Sequence, residues 1–427
     1  MDNHGLPPAS RFRPLHLKFM MRSLKSAWSS GLLPPADLCP ERLRHLAEKD
    51  TGLTRDTIGR DFFEAQLAAL LPSLHQEARL TDFGRLVAHG SILKVMKERL
   101  WHEALLEAHP GISRIELAPP VVVVGSMRSG TTRMQRLLAC DPAFNALPLW
   151  EAQCPVPSPR SFAARAAGRP DPRIAQVGRM VRLLASINPA ILEVHPTGPT
   201  EVDEELGLLD QSLSSAMIEA QRRVPAFAAH CEATDQTPAY ARLKALLQLN
   251  CWFSGRDPAK PFVLKTPQHT QDLAALHAVF PDARFIFLHR DPVSLVASSA
   301  SLAWNQMVIQ SDEVDPHWVG REWLRKTELR LATLDRVRPT IPAGQQIDLG
   351  FEAMNADWLG AMARVYAFLG RELTPAIRAR MAAYVARAAA EHGYQRHRYR
   401  LADFGLTVGD VRERLARWRV EAEPLAA

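Results

Sequence analysis

Apolar residues recur every three or four positions over much of the chain, the spacing that lets a helix bury one face. Phe62, Phe63, Leu67, Leu70, Leu71 and Leu74 keep it, within a stretch that reads as helical from Glu41 to about Leu80. The pattern repeats from Arg85 to about Ala108 and breaks at Pro110-Gly111, so the chain before about residue 115 is predicted to be all helix. The period changes after Pro119-Pro120. Val121-Val122-Val123-Val124 is a short β-branched run, as expected of a strand buried on both faces of a parallel sheet. It runs into Gly125-Ser126-Met127-Arg128-Ser129-Gly130-Thr131-Thr132, after which Met134, Leu137 and Leu138 fall at helical spacing. The order is strand, tight loop, helix.

Pro148 to Pro172 is proline-rich and irregular, and reads as a loop over the edge of the sheet. Helical patterns return at about Arg173–Ile187, Val202–Arg222 and Tyr240–Trp252. Further strands are predicted at Pro261–Thr266, Arg284–His289 and Gln345–Leu349, with a helix over Asp272–Phe280 and another opened by Asp291-Pro292. Strands alternating with helices predict an α/β fold on a parallel sheet with right-handed crossovers. Three segments follow: an N-terminal arm over residues 1–40, a helical region over 41–118, and an α/β domain over 119–427.

Composition narrows the class. Of 427 residues 47% are apolar and 23% charged, which excludes wholesale disorder, a collagen and a disulfide scaffold. Lysine and arginine exceed the acids by 52 to 46, and +6 is mild for this length. It suits an anionic small ligand and lacks the concentrated basic stripe of a nucleic-acid binder, so no nucleic-acid partner is expected. Cys39, Cys140, Cys154, Cys231 and Cys251 are scattered without a CxxC pair, which points to reduced thiols and a cytoplasmic location. No apolar run approaches the ~20 residues of a membrane helix, and the N-terminus lacks a secretory h-region. Between Arg11 and Trp28, however, Arg11, Arg13, Lys18, Arg22 and Lys25 interleave with Leu15, Leu17, Phe19, Met20, Met21 and Leu24, and no acid stands between Asp2 and Asp37. The plainest reading is a loosely docked arm; the same pattern suits peripheral contact with an anionic membrane surface.

The chemistry concentrates at Gly125-x4-Gly130-Thr131-Thr132. This is the frame of a phosphate-binding loop with Thr131 where such a loop carries its lysine, and with a cation, Arg128, moved inside. Converging backbone N–H groups, the positive end of the following helix and two hydroxyls still form an anion cradle. The missing lysine, and the lack of a hydroxyl placed for Mg²⁺, disfavour ordinary ATP chemistry. The sheet is thus expected to be P-loop-like and flanked by helices.

Val124-Gly125-Ser126-Met127-Arg128-Ser129-Gly130-Thr131-Thr132 resembles the 5′-phosphosulfate loop of sulfotransferases that use 3′-phosphoadenosine 5′-phosphosulfate (PAPS), specifically the bacterial and tyrosylprotein branch, with Met127 where proline is usual. Arg290-Asp291-Pro292-Val293-Ser294-Leu295-Val296-Ala297-Ser298 is similar to the family's 3′-phosphate motif, an arginine at a strand end with a serine eight residues on. The resemblance runs from about Pro119 to the C-terminus. It implies PAPS as co-substrate, bound by Arg128, Ser129, Gly130, Thr131, Thr132, Arg290 and Ser298. It also implies sulfuryl transfer to a hydroxyl or amine, with Arg128 over the transferring group. In related enzymes a glutamate downstream of the loop helix takes the acceptor proton, and Glu151 has that placement. Lys265 and His269, in Leu264-Lys265-Thr266-Pro267-Gln268-His269, are the competing pair, Lys265 at the sulfate and His269 as an alternative base. Arg396 and Arg398, in the basic C-terminal His392–Arg400 stretch, are candidates to close over the 3′-phosphate.

The acceptor could be a small molecule, lipid, glycan or peptide; nine tryptophans and the Pro148–Pro172 stretch favour an apolar cleft for it. Glu201-Val202-Asp203-Glu204-Glu205 reads as a helix start, with Thr200 and Asp203 as its capping box rather than as a metal site. With no HExxH or CxxC spacing, no metal is expected. A kinase-like phosphotransferase and a non-catalytic nucleotide-binding adaptor are the rival readings.

Overall fold

The computed structural model describes residues 15–32, 36–191, 196–391 and 400–418. Four strands, β1 (Val121–Val124), β2 (Val263–Leu264), β3 (Arg284–His289) and β4 (Gln346–Gly350), pair in the order β2-β1-β3-β4. Every pairing is parallel, and Val121 lies opposite Val263 on one side and Arg284 on the other. The valine run is wholly buried because alternate side chains enter different cores. Val122 and Val124 join Leu264, Phe285 and Phe287 against the helix Thr237–Ser254. Val121 and Val123 join Ile286 and Leu288 against α5 (Thr131–Leu138) and the helix Trp358–Phe368. Each such side chain contributes roughly 1.5–3 kcal/mol by leaving water, so β1 is the structural centre of the fold.

The helical front consists of α1 (Leu15–Ser29), α2 (Pro40–Thr51), α3 (Arg60–Gln76) and α4 (Asp82–Ala108). The stretch expected to be helical from Glu41 to Leu80 is therefore two helices. The front shares one apolar cluster with Leu213, Ile218, Val224 and Phe227 of the later chain. Buried Arg99 adds a polar tie: it pairs with Asp56 at 2.7 Å, donates to the Gln211 carbonyl at 3.1 Å, and lies over the Phe63 ring. All five cysteines are free thiols. No helix among the described residues is long and apolar enough to cross a membrane.

Two expectations fail on local grounds. The Pro148–Pro172 stretch is not simply a loop, because it holds α6 (Leu149–Gln153) and the helix Pro159–Ala166. Proline is tolerated in a first helical turn, where its missing N–H has no partner to lose, and Pro159 sits there. The single helix expected over Val202–Arg222 is two, Leu206–Asp210 and Ala216–Gln221, with residues 202–205 outside any helix ahead of them.

Candidate active site

From β1 the chain proceeds to β2 on one side of the sheet, and from β3 to β4 on the other. The gap between the carboxyl ends of β1 and β3 is thus the topological switch point, where open parallel sheets bind ligands. Both phosphate motifs emerge there. The loop after β1 braces itself: Ser129 Oγ donates to the Ser126 carbonyl at 2.7 Å and the Ser129 N–H to the same oxygen at 3.2 Å. Gly125 is packed so closely that a Cβ would stand 2.6 Å from Ser129 Oγ and 2.9 Å from the Leu288 carbonyl. Arg128, at the loop's tip, adopts φ +71°, a left-handed conformation costly for any side-chain-bearing residue. Gly130 follows at φ +86° and opens α5.

Arg290 leaves β3 and donates from Nη1 to the Arg128 carbonyl at 2.7 Å, while its guanidinium lies 4.1 Å from the centre of the Phe351 ring. The same ring faces Gly130, where a Cβ would meet Phe351 Cδ2 at 3.0 Å and Met354 Cε at 2.5 Å. Asp291 caps the helix Pro292–Gln310, its Oδ2 accepting the Ser294 N–H at 3.1 Å, and Ser298 lies buried about two turns in. Two arginines and the N-terminal ends of two helices therefore serve one crevice, which is suited to binding a polyanion. A cavity of about 490 Å³ opens beside it, lined by Gly125, Ser126, Arg290, Leu295, Arg338 and Trp418.

A second cluster sits at the end of β2. Lys265 is fully buried, its Nζ donating to Thr132 Oγ1 at 3.0 Å and pairing with Glu204 Oε1 at 2.5 Å. Thr132 holds the position whose hydroxyl ligates Mg²⁺ in a nucleoside-triphosphate loop. The sequence reading found no hydroxyl placed for a metal; Thr132 is one, and a tethered ammonium engages it. Glu205 points the other way: Oε2 accepts the Lys265 N–H at 3.0 Å and Oε1 pairs with His269 Nε2 at 2.5 Å. His269 Nδ1 meets the Tyr240 hydroxyl at 2.9 Å. Burial raises the Tyr240 pKa far above its ordinary value, so that hydroxyl stays protonated. A carboxylate can only accept, so the His269–Glu205 bond takes its proton from Nε2.

The 196–205 segment that supplies both glutamates lies outside any helix and is pinned to α5. Arg136 donates to the Val202 and Pro196 carbonyls at 3.0 and 3.1 Å, and Gln135 to the Asp203 carbonyl at 3.1 Å. The Thr200–Asp203 capping box expected from sequence does not form: Asp203 bonds Thr197 and the Glu204 N–H instead. Among the described residues no group of acids, histidines and cysteines is arranged to hold a metal.

Both candidate bases from the sequence are engaged within the protein. Glu151 is buried and paired at 2.7 Å with Arg256, which also holds Asn250 Oδ1 at 2.6 Å. The helix that carries Glu151, α6, is held to the 199–202 stretch, the Leu149 N–H donating to the Glu201 carbonyl at 2.8 Å and the Trp150 N–H to the Pro199 carbonyl at 3.0 Å. His269 has no exposed surface and uses both ring nitrogens internally, so it orients Glu205 and cannot reach an acceptor. Arg396 and Arg398 fall outside the described residues. Glu204 is the residue that sequence reasoning missed. Its one signal was an acidic run too dense for a cap alone.

The sulfotransferase family profile matches residues 119–375. Two crystal structures are similar over most of the chain. Sulfotransferase STF1 from Mycobacterium tuberculosis H37Rv is 30% identical with a TM-score of 0.75, covering 88% of this chain and 98% of that one. Sulfotransferase STF9 from Mycobacterium avium is 25% identical with a TM-score of 0.73, covering 89% and 95%. No protein of curated function matches in sequence. On the family match and the likeness to STF1, this chain belongs to the sulfotransferase family.

Proposed function

We propose that the protein transfers a sulfuryl group from PAPS to a hydroxyl or amine of an acceptor and releases adenosine 3′,5′-bisphosphate. The observation that carries this reading is the 2.7 Å bond from Arg290 to the Arg128 carbonyl, which ties the two phosphate motifs at the switch point. Two fixed cations there suit a donor with phosphate at both 5′ and 3′ positions, and the neighbouring 490 Å³ cavity has room for part of a nucleoside.

In the reaction, the acceptor oxygen or nitrogen forms a bond to sulfur as the bond from sulfur to the 5′-phosphate oxygen breaks. Negative charge grows on the leaving phosphate, where Arg128, the loop N–H groups and Lys265 stabilise it. Lys265 brings an amino cation to Thr132, the position a metal takes in phosphoryl transfer. Glu204 is the base this geometry favours: it is partly exposed, lies at the loop's mouth and is already paired with the Lys265 ammonium. It accepts the proton the acceptor loses. Glu205, His269 and Tyr240 hold Lys265 and Glu204 in register from behind.

Calorimetric titration of adenosine 3′,5′-bisphosphate, AMP and ATP without metal, on wild type and Arg290→Ala, tests the donor. The expected result is tight binding that needs both the 3′-phosphate and Arg290. Equal or tighter ATP binding, indifferent to Arg290, would sink the reading and favour a phosphotransferase; no nucleotide binding at all would favour an adaptor.

A further inference from the structure

Helix α1 has two distinct faces. Met21, Leu24, Ala27 and Trp28 turn partly inward, and Met21 joins Val87, Leu184 and Ile191 around buried Phe83, Ile187 and Ile309. Leu15, Lys18, Phe19 and Arg22, spaced as one helical stripe, face outward with Lys25 beside them. Leu15 is 84% and Phe19 73% exposed, large apolar side chains left in water. Helix Pro172–Ile187 packs into the same cluster through Leu184 and Ile187, and its outer face repeats the composition: Met180 and Leu183 are exposed beside exposed Arg179 and Arg182. Neither helix contains a single acid.

We propose that these two outward faces form one docking surface for an anionic phospholipid bilayer, which attaches the enzyme peripherally. Large apolar side chains set among cations, with no acid in either helix, match the acyl boundary and headgroup layer together. An acidic protein partner would be met by the charge alone and would not require exposed Leu15 and Phe19. Ile309, at the far end of the Pro292–Gln310 helix, lies under this surface, while Arg290 stands just before the opposite end. That helix spans about 28 Å, so the surface anchors the protein without occupying the donor crevice.

Co-sedimentation of the full chain with phosphatidylcholine vesicles, with and without phosphatidylglycerol, tests this. Wild type is expected to bind only the anionic vesicles. Arg179→Glu with Arg182→Glu should lower partitioning at least about tenfold, each cation near the surface contributing about 1 kcal/mol. Phe19→Ser should lower it several-fold, and Arg412→Glu, on another exposed helix, should leave it unchanged. Adenosine 3′,5′-bisphosphate binding, measured on the same samples, should be equal in all variants, which separates this outcome from any failure of the donor assignment. The proposal is overturned if neutral vesicles bind equally well, if the helix 172–187 variant binds as wild type does, or if only charge matters and Phe19→Ser has no effect.

Discussion

The two parts of the site hold their positive charge in opposite ways. At the β1–β3 crevice, Arg128 is exposed and Arg290 rests on a backbone carbonyl and an aromatic ring. At the end of β2, Lys265 has no exposed surface, and its charge is balanced by Glu204 and backed by a buried Glu205–His269–Tyr240 chain. An open cation can give most of its interaction energy to a ligand. A closed one has given it to the fold already, and a substrate reaches it only by rearranging its partners. Binding and stability should therefore separate cleanly at one end of the site and be inseparable at the other.

The sharpest division is expected at Glu204. Glu204→Gln should cut turnover by about 10²- to 10⁴-fold, the usual contribution of a positioned base, while donor affinity holds. Turnover within tenfold of wild type would place the base elsewhere. Lys265→Ala comes next: it strands acidic charge beside the loop and should cost about 3 kcal/mol in urea unfolding along with activity. Arg290→Ala should weaken adenosine 3′,5′-bisphosphate by about 10- to 100-fold, the scale of a charge-assisted bond, and leave the melting temperature where it is. A large drop in melting temperature would erase the contrast between the two ends.

The smallest effect concerns Asp272, which bonds Gln268 Nε2 behind the β2 cluster at 2.9 Å. Burial pushes its pKa up to about 6, against the hydrogen bond from Gln268. The folded state then binds the proton more tightly than the unfolded chain, so this group's contribution is full below pH ~4 and lost as pH rises through ~6. Asp272→Asn should flatten that fall, worth on the order of 2 kcal/mol, in unfolding experiments at about pH 4.5 and about pH 7.

The strands and the loop were legible because their signals are local. Val121–Val124 and Arg284–His289 form where their patterns predict them, since a strand buried on both faces has little choice of residue. Pairing was invisible: nothing in Glu201–Glu205 announces that it lies against the end of β2. Thr200 and Asp203 mimic a helix cap, and only the Lys265 N–H, sixty residues on from Glu205, shows what the segment binds instead. The pairing of Glu151 was hidden for the same reason, because its partner, Arg256, is remote in sequence.

Phe351 touches both phosphate motifs, one face under the Arg290 guanidinium and one edge against Gly130. Were these motifs to hold the two phosphates of one ligand, as proposed, a rigid ring wedged between them would act as a gauge, setting how far apart those phosphates must be for both to be held together. Selection for a bisphosphorylated nucleoside over its monophosphates would then be a matter of measured length as much as of charge, with the calibration residing in a side chain that carries none.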